Sequence, residues 1–178
     1  MSWKDILATA VTAQTLTRAQ SCLSKKTIYL LGAGGLDPSV PLGQSCDCSG
    51  FVAWSIGFPR ELPLGSGQWF DTDVFWNGGE PYHADLFNQV AIPAAQPGDL
   101  MVYPHYGPEN SQPGHISIIV QVDNQMPTQI IHCSHGNYVN FGDAIRMTGP
   151  DIFLIGNHPT RVMRINYPAL LAFGDVAA

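Results

Sequence analysis

Charge is scarce in this chain. Only 12% of its 178 residues are Asp, Glu, Lys or Arg, with 8 basic against 14 acidic residues and a net charge of −6. A nucleic-acid face needs clustered Lys and Arg, and so does docking on anionic lipid. Neither class fits. No apolar run approaches the roughly 18 residues that mark a membrane span. There is no internal repeat, no low-complexity tract and no Pro/Ser-rich linker to divide the chain. The opening Met1-Ser2-Trp3-Lys4-Asp5 lacks the basic start and continuous apolar core of a secretory signal. What is present is a length suited to one domain with a sizeable core, over residues 1–178. The 18 glycines, 14 prolines and 10% aromatics describe a compact, loop-rich mixed fold.

The most informative string is Ser45-Cys46-Asp47-Cys48-Ser49-Gly50-Phe51-Val52-Ala53-Trp54. Asp47 predicts an N-cap, because its carboxylate can accept the first free N–H groups of a helix. Phe51, Val52, Trp54 and Ile56 then give a short helix, apolar on nearly every side and therefore buried, stopped by Gly57 and Pro59. At the positive end of such a helix the dipole stabilises a thiolate, as a cysteine nucleophile requires. The alternative for Cys48 is a plain buried cysteine.

Two histidines are candidates for a base and its orienter, and the alternative for either is an ordinary core or surface residue. Gly114-His115-Ile116-Ser117-Ile118-Ile119-Val120 leads from a turn into a β-branched strand, and Ile130-Ile131-His132 is a second apolar run. Histidine takes a proton near neutral pH, and a third group on its other ring nitrogen completes a triad. The two runs predict a hairpin. If Val122 pairs with Gln125, His115 lies directly opposite His132. If Val122 pairs with Gln129, the two share a face but stand about 13 Å out of step. Pro127 argues for a bulge or loop between them.

These motifs, taken in order, resemble a known family. Asp47 before Cys48-Ser49-Gly50-Phe51, then Pro97-Gly98-Asp99-Leu100, then Gly114-His115-Ile116-Ser117-Ile118, then Ile131-His132, is similar to the NlpC/P60 cysteine peptidases. Tyr29 with Gly32, Gly34 and Gly35 looks like that family's tyrosine-and-glycine segment, and Arg161 to Ile165 like its last strand. The resemblance spans roughly residues 27–166. It implies an α+β, papain-like fold with helices packed on a central antiparallel sheet. It also implies hydrolysis of amide bonds in bacterial peptidoglycan stem peptides, between D-glutamate and a diamino acid, with no cofactor. Cys48 would be the nucleophile, His115 the general base and acid, and His132 its orienter. Tyr29 and the Cys48 N–H would face the oxyanion. Two other readings stay open: a CHAP-type N-acetylmuramoyl-L-alanine amidase, and a non-catalytic wall-binding module on the same fold.

The chain departs from the family pattern in Cys46, in a long segment before it, and in an aromatic-rich insertion at about 68–92. Trp69, Phe70, Phe75, Trp76, Tyr82 and Phe87 crowd into that insertion. Most are expected to pack a minor cluster, with Trp69 or Trp76 as a substrate-groove wall. Cys22, Cys46 and Cys133 are either reduced core residues or, outside the cytoplasm, include a disulfide. Cys46, Cys48, His132, Cys133 and His135 lack the usual structural zinc spacings, so no metal is expected. Trp3, Ile6, Leu7, Ala10 and Val11 predict an N-terminal helix capped by Ser2. Leu100 to Tyr103, Ile152 to Ile155 and Arg161 to Ile165 read as strands. With no visible signal and an inferred substrate beyond the membrane, the expected route is effector-like or phage-like delivery to periplasm or wall. A neutralising immunity protein would be the partner. The alternative is a trimmed ordinary secreted peptidase.

Overall fold

The computed structural model describes residues 3–34, 37–39, 44–58, 60, 69–170 and 172; the side chains of residues 3–10 lie outside the description. The elements run α1 (Trp3–Ser21), β1 (Ile28–Tyr29), β2 (Ser45–Cys46), α2 (Cys48–Ser55), α3 (Thr72–Trp76), β3 (Phe87–Val90), β4 (Leu100–Tyr103), β5 (His115–Asp123), β6 (Met126–Cys133), α4 (His135–Phe141), β7 (Ile145–Thr148), α5 (Asp151–Leu154) and β8 (Arg161–Ile165). The expected cap Ser2, the expected helix stop Pro59, Gly35 of the glycine segment, and the side chains of Trp3, Ile6, Leu7 and Ala10 lie outside the described residues. No helix among the described residues is long and apolar enough to cross a membrane.

Six strands form one antiparallel sheet in the order β3-β8-β4-β5-β6-β7. The β-branched run from Ile116 to Val122 makes β5 the longest strand, as its packing on a pleated surface favours. Alternation along the strands divides the core. Ile116, Ile118, Leu100, Val102, Ile131 and Met163 face α2 and meet Phe51 and Val52. Met101, Tyr103, Ile119, Ile130 and Val162 face the other way and meet Phe153 of α5. The arrangement is α+β, as the sequence motifs implied.

The β5–β6 turn differs from both expected registers. Its two central residues are Asn124 and Gln125, at φ +49° and +63°, the left-handed pair that suits a tight hairpin. Asp123 pairs with Met126, Val122 with Pro127, and Ile118 with Ile131, with the register shifting around Gln121 and Gln129. The expected Val122–Gln125 and Val122–Gln129 pairings are therefore both displaced by two residues. His132 lies diagonally across from His115 on the same face, within reach of a ring. The irregularity expected near Pro127 falls at Gln121 and Gln129, while Pro127 itself pairs with Val122; the register is the same on both sides of it, so the hairpin register alone keeps both histidines on one face.

Two other segments depart from expectation. Ile152 to Ile155 is not a strand: α5 covers Asp151–Leu154, and only Phe153 of its residues is buried. One inward side chain in four suits a single helical turn and not period-2 alternation. The stretch at 68–92 is not all loop. It supplies α3, capped by Asp71, whose side chain accepts the N–H groups of Asp73 and Val74. It also supplies edge strand β3, paired with β8.

Candidate active site

Asp47 builds the start of α2. Its Oδ1 accepts Gly50 N–H at 2.9 Å and the Ser49 hydroxyl at 3.2 Å, while Oδ2 accepts Gly32 N–H at 2.8 Å and Arg60 Nη2 at 2.6 Å. The ion pair is buried on both sides. Arg60 also donates to Ala33 O and to Ser49 Oγ. A Cβ on Gly50 would stand 2.8 Å from Ala33 O and 3.0 Å from Gly34 Cα. The glycines of the two motifs therefore let the backbones touch. Sequence reasoning missed Arg60, which stands beside Glu61 in a Pro-rich stretch and has no periodic signal.

Cys48 opens the helix and is almost fully buried. Burial pushes its thiol up to about 12, with Asp47 adding to the rise. Hydrogen bonds from the Ile116 and Ser49 amides act the other way, and less strongly. Desolvation thus outweighs the dipole stabilisation expected from the sequence, and the free protein holds Cys48 as a thiol.

His115 is the first residue of β5, directly before the Ile116 amide that points at the thiol. No hydrogen bond joins Cys48 to His115 among the described contacts, an arrangement common before substrate tightens a site. Burial, and the neighbouring His132, push the His115 imidazole down to about 3; burial pushes His132 down to about 4. His115 Nε2 lies 2.7 Å from His132 Nδ1. His132 Nε2 lies 3.1 Å from Thr148 Oγ1, and that hydroxyl donates to Gly149 O at 3.0 Å.

A carbonyl only accepts, so this chain of bonds has one direction. With its hydrogen on Gly149 O, Thr148 accepts from His132 Nε2–H. His132 Nδ1 is then bare and accepts from His115 Nε2–H. His115 Nδ1 is left bare, with no partner among the described hydrogen bonds. Asn137 Nδ2 also lies 3.4 Å from His132 Nε2, but its two hydrogens are taken by the carbonyls of His132 and Ala144, at 3.4 and 3.2 Å, which leaves Nε2–H free to donate to Thr148. The arrangement holds a neutral imidazole at the start of β5, one residue before the amide that reaches the thiol.

Parallel pairing of β1 with β2 sets Tyr29 beside Cys46, two residues before the thiol. Burial raises its phenol above the ordinary range, and the nearby Cys48 adds to that. Its ring meets His135 edge-on at 5.8 Å. The far side of His115 is closed by Phe153, stacked at 5.5 Å, and by Tyr103, itself stacked on His158 at 3.6 Å. None of Tyr103, Phe153 or His158 was expected. Tyr103 was findable, because β4 runs antiparallel from the Pro97-Gly98-Asp99 turn and ends opposite His115.

The two tryptophans part company. Trp69 is 37% exposed and stacks on Arg60 at 4.8 Å, behind the Asp47 carboxylate. Trp76 lies under Arg161 at 3.9 Å. Arg161 begins β8 opposite Val102, at the His115 end of the sheet. Phe70 and Phe75 are fully buried, as the packing reading expects. Among the described residues no group of three or more His, Cys, Asp or Glu is placed to hold a metal ion.

No family model and no curated protein matches the chain by sequence. Solved structures do. The P60 domain of an antigen from M. avium subspecies paratuberculosis superposes with a TM-score of 0.53 at 17% identity, covering 89% of this chain and 97% of that domain. The chain has an NlpC/P60-type fold. NlpC1 from Trichomonas vaginalis (TM-score 0.48, 18% identity, 87% of this chain) and an NLP/P60-family lipoprotein-like protein from Staphylococcus aureus (0.49, 16%, 85%) also match. The chain spans 42% and 41% of those two proteins. In this NlpC/P60 fold the thiol comes from a helix end and both imidazoles from one hairpin, so three elements meet at one end of the sheet.

Proposed function

We propose that this chain is a cysteine peptidase that hydrolyses an amide bond of peptidoglycan stem peptides, between D-glutamate and the diamino acid. The observation that carries the reading is the His115–His132 pair at 2.7 Å, with His115 Nδ1 left bare where the Ile116 amide holds the Cys48 thiol. Nucleophile, base and orienter then come in triad order.

In this mechanism His115 Nδ1 takes the thiol proton as Cys48 Sγ attacks the amide carbonyl. The thiolate need exist only in that step, so a neutral resting pair is competent. The Cys48 N–H and the Tyr29 hydroxyl face the developing oxyanion. His115 hands the proton to the leaving amine nitrogen, which departs and leaves a thioester on Cys48. It then removes a proton from water, whose oxygen attacks the thioester and restores the thiol. His132 keeps the ring oriented and stabilises it while charged. Trp76 and Trp69 are assigned to the substrate walls.

Digestion of purified sacculi followed by mass spectrometry of the soluble muropeptides tests this. Fragments ending at D-glutamate are expected, and none with Cys48→Ala. Release of intact stem peptides from the sugar would instead mean an amidase. Wall binding without any cleavage would mean a non-catalytic module. His115→Ala is expected to lose about 10² to 10⁴ in rate, the usual worth of general acid–base catalysis, and His132→Ala less.

A further inference from the structure

Two thiols that the proposed chemistry does not use lie against each other beside the site. Cys46 Sγ and Cys133 Sγ are 3.4 Å apart, and Cys133 Sγ also reaches Cys46 O at 3.3 Å. Both residues are wholly enclosed, at 1% and 0% exposure. Cys46 ends β2, two residues before Cys48. Cys133 ends β6, next to His132. The pair thus sits at the junction of the segment that delivers the nucleophile and the strand that delivers the orienter.

We propose that Cys46 and Cys133 form a disulfide when the chain folds in an oxidising compartment, and that Cys22 and Cys48 stay free. A covalent bond of about 2.05 Å needs the sulfurs to close by only about 1.4 Å. No other pair of the four cysteines is in sulfur contact among the described hydrogen bonds: Cys22 Sγ is committed to Arg18 O, and Cys48 Sγ faces backbone amides. The selection between partners therefore comes from packing already in place.

The oxidant is a disulfide, either glutathione disulfide or a dithiol oxidase. While the segment is still open, one cysteine thiolate attacks a sulfur of that disulfide. A mixed disulfide forms, and one oxidant thiolate leaves. The second cysteine attacks the protein sulfur of the mixed disulfide, forming the Cys46–Cys133 bond and expelling the other oxidant thiolate. The two protein thiol protons end on the departing thiols, and the oxidant carries away two electrons. The closed loop is long, since 87 positions separate the two cysteines, so the link constrains the unfolded chain strongly.

The test does not depend on which bond the enzyme cuts. The full chain is refolded in glutathione buffer rich in the disulfide form, acid-quenched, denatured and alkylated with N-ethylmaleimide. Intact mass should show two adducts on the four cysteines, and peptide mapping should join Cys46 to Cys133. The oxidised protein should melt about 10 °C above the dithiothreitol-treated form, as expected for a long-loop disulfide in a chain of this length. Cys46→Ala/Cys133→Ala should take up two adducts under both conditions and lose the difference in melting. Should that variant fail to fold, mapping of the unaltered chain still decides. Four adducts after oxidative refolding, or a bond that includes Cys48 or Cys22, would overturn the proposal.

Discussion

At the scale of single residues, the direction of the bonds through the two histidines comes from a side chain three elements away from the thiol. Thr148 gives its hydrogen to Gly149 O and so must accept from His132. Thr148→Val keeps the shape and removes the acceptor. His132 Nε2–H is then buried without its partner, an expense of about 1–3 kcal/mol, and the ring relieves it by changing tautomer or turning. His115 Nδ1 is no longer held bare, so kcat should fall roughly tenfold with KM little changed. Thr148→Ser should restore most of it. A valine variant with full activity would show that the tautomer is set elsewhere. Cys48, His115 and His132 were legible because each stands in a short motif with a stated chemical need. Thr148 and Asn137 were not. They are ordinary polar residues in β7 and α4, and only the strand pairing of His132 with Arg146 brings that part of the chain alongside.

At the scale of elements, α2 is held less by its own propensity than by what sits at its first turn. Eight residues are too few to form a helix in water without help. The help is the Asp47 carboxylate, which gathers Gly32 N–H, Gly50 N–H, Ser49 Oγ and Arg60 in one buried place. Asp47→Ala leaves Arg60 buried and unpaired, so unfolding free energy should drop by about 3–5 kcal/mol. Arg60→Met placed on top of Asp47→Ala should recover a good part, because the stranded cation is gone. Urea titration of the two variants checks this, and equal stabilities would rule out the stranded-charge argument. The helix and its cap were readable from Asp47-Cys48-Ser49-Gly50, a local pattern. Arg60 was not, because the pairing spans a stretch with no period. α5 was misread for a related reason: Ile152, Phe153, Leu154 and Ile155 are β-formers by composition, yet Asp151 and a single inward Phe153 make one helical turn over His115.

At the scale of the whole molecule, the buried imidazoles make stability depend on acid. In the unfolded chain each histidine binds a proton near its ordinary value of 6.5, whereas in the folded protein burial holds His115 down to about 3 and His132 down to about 4. Between those limits the unfolded state binds more protons, so stability is complete above about pH 6.5 and drains away as pH falls. Near pH 4.5 each imidazole should have removed about 2–3 kcal/mol. Thermal melts at about pH 7 and about pH 4.5 should show the loss, and His115→Gln/His132→Gln should flatten it; an unchanged acid slope in that variant would refute the assignment. The sheet's strands were largely legible, but their order was not, since β8 lies between β3 and β4 in space and is remote from both in sequence. That order bears on how the protein is made. β8, the last described strand, lies between β3 and β4, so a growing chain that has not yet reached Ile165 has a sheet with a vacant middle lane. The β5–β6 hairpin, local and long, can close early and bring both histidines together, while β3 waits with no strand to pair. The outer sheet is therefore assembled only when β8 arrives, and a chain cut short of it presents two open strand edges and not a smaller folded copy.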